Sequence, residues 1–134
     1  MVYNYPYDSS YNPAMPFVEL SVGRLRGQIE LTLPALVDSG ADATIIPIRY
    51  LQRIRVRQSE KKWMRGMAGG RYRVTLYPLF LQIGSQTMYV PVVGDELYDE
   101  VIVGRDVLNQ MVVTLNGLAN MVEVSSLIEA ADDV

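Results

Sequence analysis

The sequence predicts an all-β domain with one or two short helices, and three observations lead there. Apolar and polar residues alternate with a period of two through several short runs, as in Phe17-Val18-Glu19-Leu20-Ser21-Val22-Gly23. Glycine, proline and asparagine punctuate the chain at short spacing, which leaves little room for helices. The length of 134 residues allows one domain with a real core but not two. Short strands under these limits indicate a closed all-β architecture.

The elements follow in order. Residues 1–15 are rich in Tyr, Asn, Ser and Pro without a sustained period, and are read as a loosely ordered N-terminal arm. The folded domain is expected over 16–126, with 127–134 a flexible C-terminal tail. Phe17 opens the first strand, and a turn over 23–27 returns the chain through a second alternating strand at 28–33. An apolar approach, Ala35-Leu36-Val37, then delivers Asp38 into a turn of small residues, and the chain leaves through Ile45-Ile46. Pro47 is placed to start one or two helical turns over 48–54, followed by an exposed strand at 55–58. Residues 61–65 and 71–77 flank Gly66-Met67-Ala68-Gly69-Gly70, the pattern of a hairpin whose tip can open and close. Residues 78–84 and 86–93 form the next strand pair, turning at Gly84-Ser85. An acidic loop at 95–100 leads to the apolar strand Val101-Ile102-Val103, which ends at Gly104. A short helix over 106–110 follows with Arg105 at its mouth, and 111–115 with 120–124 make a terminal hairpin.

Composition removes several chemistries. The chain has neither cysteine nor histidine, so disulfides, thiolate metal sites and Ser-His-Asp or Cys-His catalysis are excluded. Carboxylate chemistry is what remains among the usual hydrolytic devices. No apolar run approaches the roughly 20 residues of a membrane span, and residues 1–7 lack the basic and apolar regions of a signal peptide. No membrane contact is expected, and the absence of cysteine is compatible with a cytoplasmic location. The net charge of −3 conceals an asymmetry: from Arg49 to Arg73 there are nine Lys or Arg against Glu60 alone, and the chain beyond residue 94 is acidic. The bland reading is two solvated faces of opposite sign; the functional one is a basic rim near the glycine-rich hairpin. A nucleic-acid surface is not expected there, given the acidic net charge and the lack of a recognition motif. The glycines at 66–70 are not a phosphate loop, because no Lys-Ser/Thr opens a helix after them.

The stretch that organises the chain is Leu36-Val37-Asp38-Ser39-Gly40-Ala41-Asp42-Ala43-Thr44-Ile45-Ile46-Pro47. Carboxylates are rarely buried without a partner, because desolvating the charge is expensive. One set between two core-like segments is either tied up structurally or kept for chemistry. Asp-Ser-Gly alone is a common turn former. A second stretch, Ile102-Val103-Gly104-Arg105-Asp106, adds a strand ending at a glycine that opens directly into a helix.

Together the two stretches resemble the signature of the retropepsin-like aspartic proteases. That signature is an Asp-Thr/Ser-Gly-Ala turn, then two hydrophobic residues and Gly with Arg and Asp or Asn following. The order matches, with a flap-like glycine cluster between, and the resemblance covers roughly residues 17–125. It implies a closed acid-protease barrel and a dimeric active site that needs no cofactor. One Asp-Ser-Gly per chain supplies half of a carboxylate pair, so the implied enzyme is a homodimer acting on a polypeptide substrate. Asp38, Ser39 and Gly40 then carry catalysis, with Ser39 locking the two turns across the axis. Leu36, Gly40, Ala41, Asp42, Ile45, Gly66, Met67, Ala68, Gly69 and Ile102 fall where the family binds substrate. Gly104 and the Asp42–Arg105 carboxylate–guanidinium pair, expected to be bidentate, fall where it supports the site; Asp106 lies beyond the strand end and is a poor second acid.

Three departures stand out. Nothing basic precedes Arg24, although retroviral members use such an arginine to reach their partner. The glycine order at the hairpin tip differs, and the chain continues past the short helix into a complete hairpin, so it looks closer to cellular or bacterial relatives. The alternative function is a retropepsin-like dimerisation or binding module with weak or no proteolysis.

Overall fold

The computed structural model describes residues 1–65 and 69–126. The elements are β1 (Val2–Pro6), β2 (Phe17–Gly23), β3 (Leu31–Val37), β4 (Ile45–Pro47), α1 (Ile48–Arg53), β5 (Lys61–Arg65), β6 (Arg71–Ile83), β7 (Gln86–Asp95), β8 (Ile102–Val103), α2 (Arg105–Leu108), β9 (Val112–Asn116) and β10 (Met121–Ser125). A seven-stranded sheet runs in the order β2-β3-β8-β4-β7-β6-β5, and a further pairing of β2 with β6 brings it round on itself. The strand β5 is left outside that ring as an edge. The protein is thus all-β, as expected.

The interior of the ring is filled by alternate residues of the strands: Leu20 and Val22, Leu79 and Leu81, Val92, Val103. Leu51 of α1 and Val107 of α2 are buried in the same core. A smaller cluster lies under the β5–β6 hairpin, where Val74, Leu76 and Val93 pack with Ala43, Ile45 and Met64.

Four local expectations are corrected. Residues 1–15 are not a loose arm throughout. Val2–Pro6 is a strand paired with β10 in a three-stranded sheet ordered β1-β10-β9, and Asp8 bridges Met15. The cause is a row of alternating tyrosines: Tyr5 and Tyr7 pack on the core, and the Tyr5 hydroxyl accepts a hydrogen bond from Gly84 N at 3.1 Å. Gly84 has φ +59°, and a methyl group there would lie 2.5 Å from the Tyr3 ring, so the β6–β7 turn requires glycine on both counts. Second, residues 55–58 are not a strand; Arg55 takes a left-handed conformation (φ 59°) as the chain leaves α1, and Val56 N bonds back to Leu51 O at 3.0 Å. Third, the strand after the first turn runs over Leu31–Val37, not 28–33, and so leads straight into Asp38. Fourth, β6 passes through Pro78 without a break. Pro78 stands opposite Pro91, and the backbone nitrogens of Leu76 and Val93 point away from the β6–β7 ladder, to Glu60 and Thr44. By the period of two, both prolines direct their missing N–H away from the ladder as well, so no bond between the strands is lost.

The predicted tip residues Gly66, Met67 and Ala68, and the predicted tail over 127–134, lie outside the described residues. Among the described residues no helix is long and apolar enough to cross a membrane.

Candidate active site

The end of β3 is held on both sides. Leu36 N donates to Val101 O at 2.8 Å and Asp38 N to Val103 O at 3.0 Å, while Val37 N reaches Pro16 O at 3.0 Å. The chain then turns sharply: Ala41 N donates to Asp38 O at 3.2 Å, and Gly40 N to Asp38 Oδ1 at 2.9 Å. Asp38 is half-buried, and Ser39 and Gly40 are exposed beside it. Its Oδ2 accepts no hydrogen bond among the described residues. One carboxylate oxygen is therefore fixed by the turn and the other meets no protein donor among the described residues.

Beneath this turn lies the start of α2. A methyl group on Gly104 would come within 2.5 Å of Ala43 O and 2.9 Å of Ala41 O, so only glycine lets the two segments approach. Arg105 N donates to Ala41 O at 2.8 Å, and its guanidinium spans the turn. One guanidinium nitrogen pairs with Asp42 Oδ1, and the other donates to Ser39 O at 2.7 Å. The expected Asp42–Arg105 pair thus forms, but the fork is divided between a carboxylate and a carbonyl instead of gripping the carboxylate with both arms. It also lies at the surface of the single chain, with the Asp42 side chain 73% and the Arg105 side chain 44% exposed.

The buried part of the support is one that the sequence reading missed. Thr44 is fully buried. Its N donates to Asp106 Oδ2 at 3.0 Å and its hydroxyl to Asp106 Oδ1 at 2.8 Å. The same hydroxyl accepts from Gly104 N at 3.2 Å, and Thr44 O accepts from Val93 N at 2.9 Å. Asp106 is therefore a brace, which agrees with its exclusion as a second acid. The signal in the sequence was a hydroxyl between apolar neighbours, Ala43-Thr44-Ile45, since a buried hydroxyl needs a partner.

Around the turn, Leu36, Ile102 and Ile45 stand abreast across β3, β8 and β4. Ile45 and Ile102 line an open cleft of about 640 Å³ together with Phe17, Tyr50 and Tyr98. Leu36 is the buried member of that row and does not line the cleft. A second cleft of about 330 Å³ opens beside the β5–β6 hairpin, lined by Asp42, Ala43, Met64 and Leu76 among others. Ala41 is half-buried between Gly40 and Asp42, and Gly69 beyond the tip has φ +83° with nothing near it. Among the described residues no group of three or more Asp or Glu could hold a metal ion.

Comparison with known proteins agrees with this frame. In its fold the chain is similar to a retropepsin-like aspartic protease from Rickettsia conorii, with a TM-score of 0.64 at 12% identity over 92% of this chain and 91% of that one. It is also similar to EIAV protease complexed with an inhibitor, with a TM-score of 0.55 at 18% identity over 71% and 86% of the two chains. No curated protein matches the sequence. Identities this low establish the fold alone, but the sequence itself matches a family profile, retroviral aspartyl protease, over residues 13–116. That match takes in the Asp38 turn, the β5–β6 hairpin and the Gly104–Asp106 brace, and the chain belongs to the retroviral aspartyl protease family.

Proposed function

We propose that the chain is a homodimeric aspartic endopeptidase that hydrolyses peptide bonds with one Asp38 from each subunit. The observation that carries this reading is the state of Asp38. Its Oδ1 is tied to Gly40 N, while Oδ2 meets no protein donor among the described residues. A turn needs only the first of these. The frame of Gly104, Arg105 and Asp106 holds that turn in place, as a reacting carboxylate requires.

One such turn per chain is half of a pair, and a two-fold axis supplies the other half. Two adjacent carboxylates share one proton, because both cannot readily ionise together. The ionised member takes a proton from a water held between them, and the water oxygen attacks the peptide carbonyl carbon. The other member gives its proton to the carbonyl oxygen. When the C–N bond breaks, the carboxyl that took the water's proton gives it to the leaving nitrogen. A hydroxyl of the tetrahedral intermediate gives its proton to the other carboxylate, so the pair again holds one shared proton. In the dimer Ser39 links the two turns, and Gly40, Ala41 and Asp42 meet the substrate backbone. Ile45 and Ile102 form side-chain pockets, with the buried Leu36 beside them in the same row. The hairpin tip, with Gly66, Met67, Ala68 and Gly69, closes over the substrate as a flap and shuts out water.

The test is cleavage of a mixed peptide library by wild type and by Asp38→Asn. The variant should lose at least about a thousandfold in rate, with its circular dichroism and its oligomeric mass unchanged. Near-normal cleavage by a clean Asp38→Asn preparation overturns the assignment.

A further inference from the structure

The β5–β6 hairpin carries a charge pattern that neither its own stability nor the chemistry at Asp38 requires. Side chains alternate across the hairpin. Met64 and Val74 turn inward to the cluster formed with Ala43 and Ile45. The opposite face is therefore that of Lys61, Trp63 and Arg65 on β5 with Arg71 and Arg73 on β6. Arg73 stands directly opposite Trp63, and Arg71 directly opposite Arg65. Like charges in that position destabilise a strand pair. Lys61, Arg65, Arg71 and Arg73 form no ion pair among the described residues, in a chain whose net charge is −3. The two β6 guanidiniums lie over Trp63, each 5.5 Å from the ring centroid. Trp63 remains 53% exposed.

A second feature adjoins this face. Among the described residues β5 ends the sheet order and pairs only with β6, so the backbone of Lys61–Arg65 has an open edge there. An open strand edge offers N–H and C=O groups to an extended polypeptide, and a row of cations beside it selects the side chains of that polypeptide. A nucleic acid could use the cations but not the strand edge.

We propose that β5 and the outer face of its hairpin form a docking site for an extended acidic polypeptide segment. The segment adds to the sheet along Lys61–Arg65, and its carboxylates engage Lys61, Arg65, Arg71 and Arg73 around Trp63. If the flap role proposed above holds, this site lies on the moving lid and selects protein substrates that carry an acidic stretch outside the scissile bond. The docking itself does not depend on proteolysis.

Trp63 is the one tryptophan of the chain and sits in the middle of the face, so it reports binding directly. The experiment titrates full-length Asp38→Asn protein with a blocked oligoglutamate peptide and follows tryptophan fluorescence. Hydrolysis plays no part in the signal, so failure of docking is distinguishable from failure of the protease reading. The expected result is a saturable change that weakens with added salt. Arg71→Glu with Arg73→Glu should weaken it by at least about tenfold. Arg71→Gln alone removes the repulsion with Arg65, and should weaken binding while leaving Tm equal or higher; this guards against a misfolded double variant. A peptide with N-methyl groups on alternate residues should bind far less well, because it cannot pair with the edge. Three results overturn the proposal: no saturable change with oligoglutamate, equal binding of the N-methylated peptide, or tighter binding of oligothymidylate on the same residues.

Discussion

Two braces hold the Asp38 turn, and they differ in what their loss exposes. Arg105 binds Asp42 and the Ser39 carbonyl at the surface, where water replaces a lost partner. Arg105→Ala should therefore cost less than about 1 kcal/mol of stability. Asp106 instead satisfies the N–H and the hydroxyl of Thr44, and Thr44 is fully buried. Asp106→Ala strands both donors, at about 1–3 kcal/mol for each group left unpaired. Denaturant unfolding of the two variants should rank Asp106→Ala as clearly the more damaging. The opposite order would show that the exposed guanidinium, with its bond to the Ser39 carbonyl, is the true anchor. Asp38, Gly104 and Arg105 were legible in the sequence because each sits within a short contiguous motif. The Thr44–Asp106 brace was not, because its members are far apart in the chain and meet only when β4 and α2 pack.

Among the elements, legibility followed burial. β2 alternates between a buried and an exposed face, and its bounds are those that the period of two predicts. β3 ends in Ala35, Leu36 and Val37, all buried, so the alternation vanishes where the strand is buried on both faces. β6 was divided at Pro78 because a proline usually ends a strand, and its harmless position depends on Pro91 opposite. β1 went unrecognised although its tyrosines alternate, because proline and asparagine dominate the region around them. The anchoring of β1 can be tested through Tyr5. Burial raises the pKa of its phenol, and the Glu19 charge adds to this against the opposing bond from Gly84 N. The fold thus favours the neutral phenol. Its contribution is complete below an unfolded value of about 10 and is lost as pH rises through the raised folded value. Tyr5→Phe leaves Gly84 N without its acceptor and should cost about 0.5–1.5 kcal/mol at neutral pH. Unfolding measured at neutral and at strongly alkaline pH should show the gap between wild type and Tyr5→Phe narrowing as pH rises. A gap that widens would mean that the hydroxyl matters for some other reason.

For the whole molecule, the proposed dimer ties activity to pH by two separate routes. A carboxylate pair sharing one proton works only in the singly protonated state, which needs a base for the water and an acid for the carbonyl. Cleavage should accordingly rise and fall about an acidic optimum. Assembly responds to pH as well. The sequence pI is about 4.9, so subunits carry little net charge near that pH and a formal −3 each at pH 7. Repulsion between copies therefore grows as pH rises above the pI, to an extent limited by salt. Loss of the last proton and loss of the partner both end cleavage on the alkaline side, but only the second depends on concentration. The chain has no histidine, so no side chain with an ordinary value between pH 5 and 8 confuses that range. The measurement is cleavage rate against pH at two protein concentrations, one far above the dissociation constant of the dimer. Sedimentation under the same conditions should give twice the 15.1 kDa of the chain wherever activity is full. At the higher concentration the bell should keep its shape on further increase, because the shared proton alone then limits it. At the lower concentration its alkaline side should move to lower pH, and specific activity should fall on dilution. Full activity from a demonstrated monomer would remove the dimer. A rate that climbs steadily to alkaline pH would remove the shared proton and with it the carboxylate mechanism.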